Sequence, residues 1–193
     1  MTDVSCDNSA EVRIGVTGHR VLMDLEKVRA GVAEAVRRVE EAFPGRSLTA
    51  LSSLAEGAGR IVAQAVLARG GTLQAVLPLP VDDYLQDFTS EGSRDEFAAL
   101  LARAARTVML PTVASRTAAY VQEAAYLVEH SDVFIAIYDG RPAQGPGGTG
   151  EVVALAQEHG LPIVYVKAGN RKLGTEEPTT LGEEQGRIVI EGP

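Results

Sequence analysis

The sequence predicts an α/β protein, a three-layer α/β/α sandwich built on a mainly parallel, doubly wound sheet. Three observations carry that prediction. Short β-branched runs alternate with helical patterns six times along the 193 residues. Most of these runs are apolar on both faces, so the sheet they form needs helices on both sides. At 45% hydrophobic composition the chain can bury one good core, and a single domain over 12–169 is expected between a leader, 1–11, and a polar stretch, 170–193.

The elements follow in order. VRIGVTG (12–18) is a β-branched run that breaks at glycine, as a buried parallel strand does. The next segment places Leu22, Leu25, Val28, Val32, Val36, Val39 and Phe43 three or four apart with charges between them, an amphipathic helix capped by Asp24 and stopped by Pro44-Gly45. SLTALSSL (47–54) is the second strand, GAGRIVAQAVLARGG a helix ended by Gly70-Gly71, and LQAVLPLP (73–80) the third strand. A long acidic loop holding Asp82, Asp83 and Asp87 leads to a helix, and RTVMLP (106–111) is the fourth strand. Another helix, ASRTAAYVQEAAYLVEHS, precedes DVFIAIYDG (132–140); the helix EVVALAQEHG precedes PIVYVKAG (162–169), and RIVIEG (187–192) offers an edge strand.

Composition narrows the function classes. Lys and Arg number 18 against 26 Asp and Glu, a net charge of −8, which speaks against a nucleic-acid surface because that affinity rests on clustered cations. A small anion held by a few backbone amides stays compatible with it. No apolar run reaches the roughly 20 residues of a membrane span, and MTDVSCDNSAE lacks the pattern of a signal peptide, so a cytoplasmic protein without membrane contact is expected. Cys6 stands alone, and His19, His130 and His159 have no metal-ligand spacing, so neither disulfide, metal nor other cofactor is expected. His130 and His159 end helices, where an imidazole pairs with free carbonyls.

In such a sheet, ligands bind outside the carboxyl ends of the strands, at loops that run into helix N-termini. GPGGTGE is the most telling of these loops. Glycines ahead of a helix leave successive N–H groups open to an anion, and the helix dipole adds about half a positive charge there. Gly147, Gly148, Thr149 and Gly150 are therefore candidate contacts to a phosphate or a ribose hydroxyl. Thr149 serves equally as ligand contact or helix cap. Glu151 is either an ordinary dipole partner in the first turn or a carboxylate for ribose binding or catalysis.

SSLAEGAGR repeats the pattern: Ser52, Ser53 and Gly57 let a ligand lie against the backbone, or let helix and sheet pack closely, while Glu56 and Arg60 supply charge. TGHR contributes Thr17, Gly18, His19 and Arg20. Arg20 is the one cation the sequence sets at the cleft, and His19 either meets a base or caps its own turn. The acidic loop with Asp82, Asp83 and Asp87 either folds over the site or stays exposed, and its run of charge favours exposure. No Walker motif and no G-x-G-x-x-G after the first strand is present, which removes support for NTP hydrolysis and hydride transfer.

SSLAEGAGRIVAQAVLARGGTLQAVLPLP, SDVFIAIYDG and GPGGTGE together resemble the SLOG superfamily of Rossmann-like proteins, over nearly all of 12–169. That superfamily joins the SMF/DprA DNA-processing proteins to the LOG phosphoribohydrolases. The resemblance implies a nucleotide-derived ligand at the loops named above, and dimers are common among such relatives. LOG enzymes carry P-G-G-x-G-T-x-x-E; aligning Gly-Thr on Gly148-Thr149 puts Val152 at the glutamate position, and the preceding helix offers Arg116 only at its start. Nucleoside 2-deoxyribosyltransferases, similar in fold, place a nucleophilic glutamate in a comparable loop, which Glu151 resembles. Two readings result: a binding or sensing domain for a nucleotide or nucleotide-derived small molecule, or an enzyme acting on an N-glycosidic bond through Glu151. A homodimer is expected through the helix carrying Val121, Ala124, Ala125 and Val128.

Overall fold

The computed structural model describes residues 10–143, 145–172 and 174–192. Seven strands form one sheet: β1 (Glu11–Gly18), β2 (Ser47–Ser52), β3 (Thr72–Leu77), β4 (Arg106–Met109), β5 (Val133–Tyr138), β6 (Ile163–Lys167) and β7 (Ile188–Glu191), in the order β4-β3-β2-β1-β5-β6-β7. All neighbours are parallel except β6 and β7. The expected three-layer, doubly wound architecture is what the chain adopts, and RIVIEG does supply the antiparallel edge strand.

Helices α1 (Leu25–Ala42), α2 (Ala58–Ala68), a short α3 (Val81–Tyr84), α4 (Glu91–Leu101), α5 (Arg116–Glu129) and α6 (Thr149–Glu158) link the strands. Strand alternation sorts the core into two layers. Val12, Ile14 and Val16 of β1 face one side, where Val28, Val32 and Val36 of α1 and Val62 and Val66 of α2 close over them. On the other face Phe134 and Ala136 of β5 meet Leu127 and Val128 of α5 and Val152, Val153 and Ala156 of α6. Gly15 sits on this second face because Phe134 fills the space: a Cβ there would lie 2.2 Å from the ring.

Several details correct the sequence reading. Glu11 belongs to β1 rather than to the leader, and the rest of that leader, Cys6 included, falls outside the described residues except for Ala10. Asp24 occupies the N-cap of α1 but makes no side-chain cap; its carboxylate accepts the Thr180 hydroxyl at 2.6 Å instead. Of the residues expected to form a dimer face, Ala124 and Val128 are buried within their own chain, Ala125 is half-buried and Val121 is 46% exposed. His130 and His159 take the expected places, each with Nδ1 within 2.9 Å of a carbonyl one turn back. No helix among the described residues is long and apolar enough to cross a membrane.

Strand order reverses between β1 and β5, since β2 to β4 extend one way from β1, and β5 to β7 the other. A crevice opens at such a reversal because the flanking connections depart to opposite faces. Gly18 pairs with Ile137, and the His19 N–H donates to the Ile137 carbonyl at 2.9 Å, so both strands end level at the mouth of that crevice.

Candidate functional site

The crevice holds two chambers. The outer one, about 520 Å³, lies between the segment after β1 (Gly18 to Val21) and the loop after β5 (Asp139 to Gly150), with Asn170 and Arg171 beyond β6. The inner one, about 190 Å³, is lined by Thr17, Ser52, Ser53, Glu56, Tyr84, Glu123 and Thr149 among others. Gly18, Arg20, Tyr120, Gly147 and Thr149 line both, so the chambers adjoin. The loops selected from sequence thus converge at one place.

The glycine loop explains itself locally. Gly147 has φ +75°, a left-handed turn that glycine adopts without strain. Its N–H donates to Glu151 Oε2 at 2.8 Å, and the Gly148 N–H donates to the Gly145 carbonyl at 3.1 Å. Helix α6 then begins, with the Gly148 carbonyl accepting from the Glu151 and Val152 N–H groups. Among the described residues the amides of Thr149 and Gly150 have no acceptor, as the first turn of a helix dictates. Both residues line the outer chamber, beside Arg141 and Arg171. Helix polarity and two open amides make this the end of the cleft suited to an anion; of the guanidinium groups beside them, Arg141 lies 3.8 Å from Asp139 and Arg171 is paired with Glu176 at 2.5 Å.

Glu151 does not line the cleft. It is exposed, and its carboxylate faces back onto the Gly147 amide, so the loop carries its own anion. Arg60 is also elsewhere. Only 2% exposed, it donates to the Leu54 carbonyl, Ser93 and Glu96, and lies 4.7 Å above the Phe88 ring, beneath a separate hollow.

Of the remaining predicted residues, Gly57 lines the same separate hollow as Arg60, and the others stand at the crevice, several of them holding it in shape. Gly57, at φ +77°, lets the second loop press on the first: a Cβ there would lie 2.5 Å from the His19 and Arg20 carbonyls. Ser52 accepts from the Leu54 N–H and donates to the Gly59 carbonyl, both at 3.0 Å. His19 Nε2 accepts the Asp139 N–H at 3.1 Å, which requires that nitrogen to be unprotonated. The nearby Asp139 carboxylate, 3.3 Å away, is therefore a contact with a neutral ring and not an ion pair; burial keeps the imidazole below its usual value despite that carboxylate. His19 fastens the β5 loop to the end of β1.

Arg20 points between the chambers and donates to the Asp87 carbonyl at 2.8 Å and to Glu56 at 3.4 Å. Glu56 also accepts from the Thr89 N–H at 3.1 Å and from the Ser93 hydroxyl. Burial opposes its ionisation, but those hydrogen bonds and the Arg20 charge outweigh burial and hold its pKa below the usual carboxylate range. Asp87 receives the Arg116 guanidinium at 2.8 Å and the Tyr120 hydroxyl. The segment around Asp87 is therefore tied to the rim of the site, its backbone carbonyl by Arg20 and its carboxylate by Arg116 and Tyr120, while Asp82 and Asp83 stay exposed as the sequence reads.

Sequence reasoning missed Tyr84, Tyr120, Glu123, Arg141, Asn170 and Arg171, all lining one chamber or the other. One signal was present. Tyr120, Glu123, Ala124 and Leu127 recur at helical spacing on a single face, so Glu123 interrupts an apolar stripe where a solvated carboxylate does not belong. It is half-buried in the inner chamber; burial pushes its carboxyl up to about 7, the Ser53 hydroxyl and the Arg20 charge opposing. No cluster of residues suited to hold a metal occurs among the described residues.

Fold and site together define an α/β protein of Rossmann-like architecture with a two-chambered crevice at its topological switch point. The chain has the fold of DNA processing protein A (DprA) from Streptococcus pneumoniae, at TM-score 0.52 and 16% identity, over 79% of this chain and 49% of that one. It spans about half the length of that protein. The SMF/DprA branch named by the sequence resemblance is thus matched in fold. TM1055, a structural genomics target, superposes at TM-score 0.48 and 15% identity, over 79% of this chain and 72% of that one. The molybdenum cofactor carrier protein of Chlamydomonas reinhardtii does so at 0.44 and 19%, over 80% and 75%. No family model matches the sequence, and no curated protein matches it.

Proposed function

We propose that this protein binds a nucleotide or a nucleotide-derived small molecule, with its anionic group on the Thr149 and Gly150 amides and the remainder reaching toward the inner chamber. One observation carries the reading: two acceptor-less amides at the start of α6 line the same chamber as Arg141 and Arg171, at the strand-order reversal. A phosphate there would gain the helix field and charge-assisted hydrogen bonds together. A chamber of about 520 Å³ lies within the range of small-molecule sites, roughly 300–1,000 Å³. The N-glycosidic reading through Glu151 draws no support from this geometry, since that carboxylate stands outside the cleft and bonded to Gly147.

Thermal-shift screening with AMP, ADP-ribose and NAD tests the reading. At least one is expected to raise the melting temperature, and Gly147→Val, which strains a left-handed residue beside Tyr120, is expected to abolish that rise. No rise with any of these compounds would contradict it.

A further inference from the structure

The inner chamber differs from the outer one in chemistry as well as in size. Its lining includes Arg20 and Glu56 from the segments after β1 and β2, Ser53, Tyr84 from α3, Tyr120 and Glu123 from α5, and Thr149. Arg20 is already engaged by Glu56 and Asp87, and Tyr120 by Asp87. With the ionised Glu56 in its wall and its single cation so occupied, the chamber disfavours a phosphate. Its volume, about 190 Å³, compares with the engineered cavity of roughly 150 Å³ that accepts one benzene molecule. One ring fits there.

The two carboxylates have opposite surroundings. Glu56 accepts from Thr89, Ser93 and Arg20 and is a fixed part of the wall. Glu123 forms no ion pair among the described residues and lies by the Ser53 hydroxyl at the floor of the chamber. We infer that Glu123 is a ligand-binding acid: its carboxyl group donates a hydrogen bond to an oxygen acceptor on a single sugar ring in the inner chamber, while the ligand's phosphate lies on α6. The inference rests on the binding reading above and adds the orientation of the ligand and a dependence on pH. Burial keeps the proton on Glu123 to about pH 7. Above that value the donor is lost and a half-buried charge faces the ring. Arg20, Glu56, Tyr84 and Tyr120 are the other titratable groups lining the chamber; burial raises both tyrosines and Glu56 stays ionised, so Glu123 is the group that changes near neutrality.

Calorimetric titration with ribose 5-phosphate and with inorganic phosphate, on the wild type and Glu123→Gln, tests this at about pH 6 and about pH 8.5. Glutamine keeps a donor at both values, and comparing proteins at equal pH removes the ligands' own titration. The ratio of wild-type to variant Kd for ribose 5-phosphate is expected to rise about tenfold between the two conditions, and to stay level for inorganic phosphate. A level ratio for ribose 5-phosphate, or an equal rise for phosphate, overturns the inference and leaves the binding reading standing. Binding of neither probe overturns both. Carbon-13 titration of Glu123 in the wild type is independent of the variant's folding: ribose 5-phosphate is expected to raise its pKa by about one unit, and an unmoved pKa would contradict the assignment.

Discussion

The Glu151 carboxylate accepts the Gly147 N–H at 2.8 Å, so the residue that sequence offers as a nucleophile instead holds the turn ahead of α6. A carboxylate so placed gains about 0.3–1 kcal/mol from the helix N-terminus and repels a phosphate approaching the neighbouring amides. Glu151→Gln is accordingly expected to tighten AMP binding about two- to fivefold, more at low ionic strength, as calorimetry would show. Weaker binding would mean that Glu151 contacts the ligand.

Glu56 links three segments, through Arg20 after β1, Thr89 after α3 and Ser93 in α4. Glu56→Gln keeps the shape and loses the charge, which is expected to cost about 1.5–3 kcal/mol, the range for hydrogen bonds to a charged group. Hydrogen exchange in 85–93 should rise with it. The lowered pKa means that this contribution is complete above the unfolded value of 4.5 and fades as pH falls through the folded value, so wild type and variant should converge in acid. A constant difference down to low pH would show that shape, and not charge, holds the loop.

Glu123 has the opposite sign. Held at about 7 against 4.5 for the free group, it keeps its proton in the folded chain after the unfolded chain has released one. Folding therefore loses stability as pH rises from 4.5 to about 7, and the loss is complete above that. Glu123→Gln, without ligand, is expected to be more stable than wild type at pH 8 by on the order of 1–3 kcal/mol, the advantage vanishing toward pH 4.5. Chemical denaturation across that range checks it; a destabilised variant at pH 8 would contradict the pKa.

Two glycine loops that look alike in sequence do different work. Gly57→Ala would drive a Cβ to 2.5 Å from two carbonyl oxygens, and a loss of about 2 kcal/mol or more is expected from strain and overpacking. Gly145→Ala meets nothing within 4 Å and should change stability by less than about 0.5 kcal/mol. Melting curves of the two variants distinguish them, and equal effects would contradict the packing described.

Those glycines mark what the sequence made legible. Period and composition gave the parallel strands, because burial on both faces leaves continuous apolar runs such as VFIAIY. The cleft itself followed from the rule on strand ends, which needs only the element order. What stayed hidden came from distance along the chain. Arg60 and Arg20 are both arginines beside a glycine loop, yet one is buried against the Phe88 ring and the other bridges two chambers, a difference set by α4 and by the Asp87 segment. Arg141 and Arg171 looked like loop residues until β5 and β6 brought their segments together. Glu123 needed only its helical spacing to be noticed.

Amide NMR during titration with AMP tests the central claim most directly. The account predicts that the Thr149 and Gly150 resonances move first and furthest, with Gly18 and Arg20 across the crevice following at the same ligand concentration and the β6–β7 edge unmoved. Saturable shifts confined to other surfaces, or none at millimolar nucleotide, would contradict it.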